Sequence, residues 1–521
     1  MKNPYHDPIE SGELVLHPVR ARWVIVFFAV FLLMPWARQL REIVAPVPEA
    51  VAASTLREKL RAFENHFASL PLFERWREAD QERLVDWFRE GNERVLIGKD
   101  GWLYYRADVE TVTGKGPRYE EPPSVARNPS LGSWQKPLPV IRDFAGQLKE
   151  RGIRLLLVPI PTKAMAYPEG LGASVSTAKP TDYEDVLREL EGSDIEVIDL
   201  LPLLAKEGSY LKQDTHWTPA TMRRAAETIA RRIASPADTV PSERMSRLTS
   251  VTRSHHGDLV GMLGDGSGKE SFSPESALLE PVIESETGAL LPFSPDTSIV
   301  ILGDSFVNIF EDPGLGFSEE GETRIGAGFA SLLSRALGES VELIASNGGG
   351  ATTVRKSFAQ SLATRESDPD TVIWVLSARD LFLAELPGRR AGIEWAAVKL
   401  PGEKRKPPAP SGELVIRATL QERSRVGNPL QTPYESAIYS TIFSEIEVES
   451  GSFETEEALV FLWAFQKRKF LPTAHLEAGK RYRLTLKPFP REGPAASAEQ
   501  LDNFFRPELD RWFASAAELV E

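Results

Sequence analysis

The sequence predicts an α/β protein: a parallel sheet flanked by helices, preceded by an N-terminal membrane anchor helix and followed by a small β-barrel-like domain. Three observations carry that expectation. From Pro137 onward short apolar runs alternate with helical segments, the pattern of a parallel sheet covered on both faces. Near the amino terminus a charge-free apolar run stands isolated between polar flanks. After a linker rich in Pro and charge, residues 401–412, closely spaced strand-like segments replace the alternation.

Composition narrows the function classes. At 521 residues, 42% hydrophobic and 26% charged, the chain is long enough for two or three compact domains. A formal net charge of -14 argues against a general nucleic-acid binder, because affinity for phosphate backbones comes from clustered Lys and Arg. With no cysteine, a disulfide framework, a thiolate nucleophile and a Cys-built metal site are excluded.

The apolar run Trp23 to Ala37, WVIVFFAVFLLMPWA, is flanked by Arg20, Arg22, Arg38 and Arg41. It falls short of the roughly 20 residues that span a bilayer core. Snorkelling arginines and the interfacial Trp23 and Trp36 cover the shortfall. The expected layout is a tail over 1–22, an anchor over 23–37 and everything beyond on one side of the membrane. A cleaved signal peptide is the rival reading, since Ala50-Val51-Ala52 resembles a cleavage site, although far from the apolar run. Residues 55–92 read as an amphipathic helical arm, with Leu60, Phe63, Phe67 and Leu70 at helical spacing. The stretch IGKDGWLYY, Ile97 to Tyr105, then suits a hairpin turning at Lys99-Asp100-Gly101.

Within the main domain, residues 93–400, strands are expected at Arg154 to Pro159, Ile195 to Ile198, Ser298 to Leu302, Val341 to Ala345 and Thr371 to Leu376. Parallel sheets bind ligands at the carboxyl ends of their strands. In LGDSF, Leu302 to Phe306, a strand, a glycine and a serine opening a helix present Ser305 as a candidate nucleophile. In SNGGG, Asn347 is a candidate oxyanion-hole donor, and in LSARDL, Arg379 ends the last strand as a further candidate. In KQDTHWTPAT, Asp214 and His216 fall two residues apart, so in an extended segment both face one side. The helix signal follows them, with Thr218 as cap and Pro219 at the first helical position. An Asp that orients a His, and a His that takes a serine proton, is the equipment of covalent acyl chemistry. Packing at a helix entrance is the competing reading of His216. His255 and His256 are adjacent, which makes joint chelation awkward, and read as a loop.

The blocks GKDGWLYY (Gly98 to Tyr105), PTKAMAYPE (Pro161 to Glu169), DTHW (Asp214 to Trp217) and GDSF (Gly303 to Phe306), in that order behind an anchor, resemble the alginate O-acetyltransferase family of the AlgX/AlgJ type. The resemblance runs from about residue 55 to about residue 385. It implies an SGNH-hydrolase-like fold in which Asp-x-His precedes the serine. It implies Ser305 as nucleophile, His216 as general base and acid, and Asp214 as its orienting partner. It implies a periplasmic domain held at the inner membrane, which acetylates exopolysaccharide hydroxyls with acetyl groups supplied by a membrane-bound O-acyltransferase. The chain departs from the ordinary SGNH pattern in lacking a Gly-x-Asn-Asp block, for which Ser346-Asn347-Gly348 is the nearest stand-in.

Residues 413–521 are expected to form a β-rich accessory domain, with strands at Leu414 to Leu420, Ser436 to Glu447, Ala458 to Phe465 and Arg481 to Leu486, and a helix over Leu501 to Val520. Trp463, Phe465 and Lys467-Arg468-Lys469 are candidates for sugar stacking or contact with an acidic polymer, against the alternative of core aromatics beside a charged turn. The function expected is O-acetylation of an extracytoplasmic polysaccharide through an acetyl-serine, with no cofactor, metal or nucleic acid. A carbohydrate acetyl esterase needs the same three side chains, and a non-catalytic assembly component is the third alternative.

Overall fold

Thr371 to Ser377 reads TVIWVLS, with no polar residue to mark a solvent face, and every residue of it is buried. In the computed structural model this segment is the middle of a five-stranded sheet. The structure describes residues 81–520, apart from 82, 115, 118–136, 174–176, 181, 194, 234–245, 265–270, 383–394, 403, 405–413, 430–431 and 501–503. The anchor expected over 23–37, and the arm over 55–92 as far as residue 80, lie outside the described residues. Among those described, no helix is long and apolar enough to cross a membrane. The helix expected to reach residue 92 ends sooner, in a π-helical turn at Leu84–Phe88, after which Arg89 takes a φ of 52° and breaks the helical path.

We number the strands used here in chain order. Strands β1 (Val95–Ile97) and β2 (Leu103–Tyr105) form the expected hairpin around Lys99–Gly101, where Gly101 supplies a φ of 79°. The central sheet comprises β3 (Arg154–Ile160), β4 (Glu196–Val197), β5 (Ile299–Gly303), β6 (Glu342–Ala345) and β7 (Thr371–Ser377). Their order is β6-β5-β7-β3-β4, and every pair is parallel.

Alternation along each strand feeds two separate cores. Leu156, Val158, Ile301, Ile373 and Val375 pack with helices Pro219–Ile233 and Phe329–Leu337 on one face. Leu155, Leu157, Val300, Leu302, Val372 and Trp374 pack with Pro137–Glu150 and Thr353–Thr364 on the other. The apolar runs are continuous because both faces are covered. Their carboxyl ends therefore form one rim, onto which Asp304, Ser346 and Ala378 follow directly from β5, β6 and β7.

The carboxyl-terminal strands close into a barrel. Strands β8 (Leu414–Arg423), β9 (Ala437–Ser450), β10 (Ala458–Gln466), β11 (Arg481–Pro488) and β12 (Arg511–Ala514) pair in the cycle β8-β9-β10-β12-β11-β8. This corrects the helix expected over 501–520: its described part contains β12 and a further strand, Ala517–Leu519, that pairs with β11. Trp512 and Ala514 point inward while Arg511 and Phe513 are half-buried outside, a two-residue period. Backbone groups at the open edge between β10 and β11 need a strand as partner, and a helix offers none. The sugar-stacking expectation is also corrected in part. Phe465 is fully buried in the barrel core, and Arg468 donates to the carbonyls of Pro429, Thr432 and Pro433, which occupies it within the fold.

Candidate active site

The four sequence blocks converge at the carboxyl rim of the sheet. From the β1–β2 hairpin come the Leu103 carbonyl, which accepts from buried Lys163 Nζ at 2.8 Å, and the rings of Trp102 and Tyr104, whose centroids lie 5.7 and 5.6 Å from that ammonium. Lys163 also donates to the carbonyl of Lys212 at 3.1 Å, two residues before Asp214. Burial lowers the Lys163 pKa against the pull of Asp214 and other acids. This lysine ties three loops together.

Asp214 and His216 lie in a non-helical segment that leads into Pro219–Ile233, as their spacing requires. Asp214 Oδ1 is 2.6 Å from His216 Nδ1 and also accepts from the His216 amide at 3.0 Å. Asp214 Oδ2 accepts from the Asp258 amide at 3.0 Å. Asp258 in turn accepts from the Thr215 amide and hydroxyl at 2.8 and 2.6 Å, fixing the segment between the pair. Burial would raise the Asp214 pKa, but the His216 charge and these hydrogen bonds overcome it and hold the carboxyl below its usual range. For His216 burial works against the imidazolium, and the carboxylates of Asp214, then Asp258 and Asp304, outweigh it and raise the pKa. Donor atoms of Asp214, His216 and Asp258 lie within 4.8 Å of one another, yet Asp214 and Asp258 accept hydrogen bonds and His216 Nδ1 pairs with Asp214. The cluster reads as a hydrogen-bond relay and not as an ion site.

Ser305 opens the four-residue helix Ser305–Asn308 at the end of β5. Asp304 caps that helix, accepting from Phe306 at 2.9 Å, and its other oxygen accepts from the Ser377 amide at the end of β7. The histidine and serine motifs are joined directly: Trp217 Nε1 donates to the Phe306 carbonyl at 3.1 Å, and the His216 and Phe306 rings meet edge-on with centroids 4.8 Å apart. His216 Nε2 is buried without a hydrogen-bond partner among the described residues. Ser305 Oγ instead accepts from the Tyr434 hydroxyl at 3.1 Å.

The structure uses the remaining candidates differently. Asn347 is buried at the end of β6, but its Nδ2 donates to Asp312 at 3.3 Å and its Oδ1 accepts from Asn308 at 2.9 Å. Arg379 binds Asp108 at 2.7 Å and lies over the Tyr105 ring at 5.2 Å, so it joins the end of β7 to the segment following the hairpin. Burial raises the Asp108 pKa despite Arg379. Arg379→Gln is expected to strand a buried carboxylate and lower stability by about 3–5 kcal/mol, read as a lower urea midpoint. An unchanged midpoint would show that the pair is dispensable to the fold. His255 ends the strand Val251–His255, which corrects the loop expected there, and packs its ring against Phe317 with centroids 5.5 Å apart.

Two side chains in this arrangement escaped the sequence reading. Asp258 carries only the preceding glycine as a turn signal. Tyr434 lies between two barrel strands, far along the chain from Ser305, where no spacing rule connects them.

Comparison with known proteins bears on the same residues. Residues 95–378 match the family described as SGNH hydrolase-like domain, acetyltransferase AlgX. The probable alginate O-acetylase AlgJ of Pseudomonas aeruginosa is 28% identical over 316 residues, covering 57% of this chain and 73% of that protein. The O-acetyltransferase domain of Pseudomonas putida AlgJ aligns with 19% identity and a TM-score of 0.39, over 55% of this chain and 91% of that one. Pseudomonas aeruginosa AlgX aligns with 17% identity and a TM-score of 0.38, over 76% of this chain and 88% of that one.

Proposed function

This chain belongs to the AlgX family of SGNH hydrolase-like acetyltransferases, and on that premise we propose that it moves acetyl groups onto hydroxyls of an extracytoplasmic polysaccharide through an acetyl-serine on Ser305. The observation that carries the mechanism is the buried Asp214–His216 pair, its free Nε2 on the side of the ring opposite Asp214, bound through Trp217 and Phe306 to the segment bearing Ser305.

In the first half-reaction Ser305 Oγ bonds to the acetyl carbonyl carbon of the donor ester and gives its proton to His216 Nε2. The bond to the donor oxygen breaks, and that oxygen leaves with the proton from Nε2. In the second, a sugar hydroxyl gives its proton to Nε2 while its oxygen bonds to the acetyl carbon. The acetyl–Oγ bond breaks and Oγ recovers a proton from His216. Asp214 keeps the imidazole in the tautomer with Nδ1 protonated and stabilises the imidazolium of each half-reaction. Asp304 already accepts from the Phe306, Val307 and Asn308 amides, which leaves the Ser305 amide as the donor this helix start offers the carbonyl oxygen.

The partners follow from the same reading. An anchor at residues 23–37 would hold the enzyme at the inner membrane with the catalytic domain in the periplasm, where a membrane-bound O-acyltransferase supplies acetyl groups. An acetyl esterase would use the same relay with water as acceptor, so the acceptor decides between them. Full-length protein given an acetyl-ester donor and a panel of oligosaccharides is expected to yield acetylated sugar by mass spectrometry. Acetate release without any acetylated sugar would replace the transferase by the esterase.

A further inference from the structure

The barrel reaches the reacting serine through one side chain. The connection between β8 and β9 carries Tyr434, whose hydroxyl lies 3.1 Å from Ser305 Oγ. Its ring lies against the loop that follows β6, where a Cβ on Gly348 would sit 2.9 Å from Tyr434 Cε2, and Gly348 itself holds a φ of 72°. Any side chain there would push the tyrosine off the serine.

The connection is held from several sides. Thr432 Oγ1 donates to Glu499 at 2.6 Å and accepts from the Tyr434 amide at 3.2 Å. Arg468, at the β10 end of the barrel, donates to the carbonyls of Pro429, Thr432 and Pro433 at 2.9 to 3.1 Å. Arg94, from the main domain, reaches the Thr432 carbonyl at 3.4 Å. A surface loop with no task at the site has no need of this many anchors around one tyrosine.

We propose that Tyr434 is a catalytic residue supplied by the barrel: its phenol donates a hydrogen bond to Ser305 Oγ, so the main domain alone does not contain the complete active site. This rests on Ser305 being the acylated residue. With Tyr434 as donor, the serine O–H remains available to His216 Nε2, a buried nitrogen without a hydrogen-bond partner among the described residues. Burial raises the phenol pKa well above its ordinary value, which keeps it a neutral donor. Negative charge grows on Oγ when the serine proton moves to His216, and again when the acetyl–Oγ bond breaks and its electron pair returns to oxygen. The phenol stabilises Oγ at both moments and keeps its own proton throughout. One hydrogen bond to an oxygen gaining charge corresponds to roughly a tenfold to hundredfold rate effect.

The test measures turnover of 4-nitrophenyl acetate by 4-nitrophenolate release, and acetylation of Ser305 by intact-protein mass spectrometry, in full-length wild type, Tyr434→Phe and Ser305→Ala. Phenylalanine keeps the ring against Gly348 and deletes one oxygen. The expected result is a tenfold to hundredfold lower kcat with KM unchanged and a preserved melting temperature. Wild-type kcat in a folded Tyr434→Phe, while Ser305→Ala is inert, would overturn the role of Tyr434 alone. Acetylation persisting in Ser305→Ala would instead overturn the serine reading beneath it. Should Tyr434→Phe melt early, 3-fluorotyrosine at position 434 keeps the hydroxyl and makes it a stronger donor. A rate above wild type is then expected, and an equal or lower rate overturns the proposal.

Discussion

Ser305→Ala is expected to lower acetyl transfer by at least about 10⁴-fold while leaving the melting temperature within a few degrees of wild type. The size of the loss follows from the proposed mechanism: without Oγ no acetyl-serine forms, and the remaining groups can only orient donor and acceptor. The mild effect on stability follows from the structure. The side chain is small, and Oγ accepts its hydrogen bond from the Tyr434 hydroxyl. Transfer at wild-type rate in Ser305→Ala would mean that the relay at Asp214 and His216 serves another oxygen.

Asp214→Asn carries the second large effect, and its signature is a displaced pH profile. In the proposed mechanism neutral His216 is the base, and the net influence of its surroundings raises its pKa above the ordinary value near 6.5. Activity therefore climbs as pH rises through that elevated pKa. Replacing Asp214 removes the largest of the raising influences, so that burial, which lowers the pKa of an imidazole, is opposed only by the weaker pulls of Asp258 and Asp304. The acidic limb of kcat/KM is expected to move to lower pH, while kcat falls by about 10³- to 10⁴-fold because Nδ1 loses the acceptor that fixes the tautomer. The two changes oppose each other in usefulness: the base is available over a wider pH range but points and titrates wrongly. A limb that stays in place would show that Asp214 does not act on His216.

Much of this site was legible in the sequence because its parts obey local rules. Asp214 and His216 share a side only in extended chain, and the helix that begins at Pro219 leaves them in one. Gly303-Asp304-Ser305 follows a buried strand, and the strand ends where the cap begins. The apolar runs of β3, β5 and β7 announced a doubly covered sheet because both of their faces pack.

What stayed hidden depends on partners far apart in the chain. The tail from 504 onward carries Phe505, Leu509 and Trp512 at intervals of four and three, which also suits a helix. Only the open edge between β10 and β11 selects the strand. Asn347 sits at the strand end where its sequence position suggested, but Asp312 and Asn308 engage its amide. Tyr434 has neither periodicity nor motif, and its meaning arises from a loop held by Arg468 and Thr432 against a serine in another part of the fold. Local patterns report local geometry; the contact of Tyr434 with Ser305 is a tertiary fact.

The most direct test of the acetyl-serine account is a pulse and chase on the full-length wild-type protein. After a pulse with an isotopically labelled acetyl ester, peptide mass spectrometry should find the label on Ser305. After donor removal and addition of polysaccharide, it should leave Ser305 and appear on the polymer at matching rates. Polymer that acquires label while Ser305 never carries it, or a labelled Ser305 that polysaccharide cannot discharge, would contradict the account.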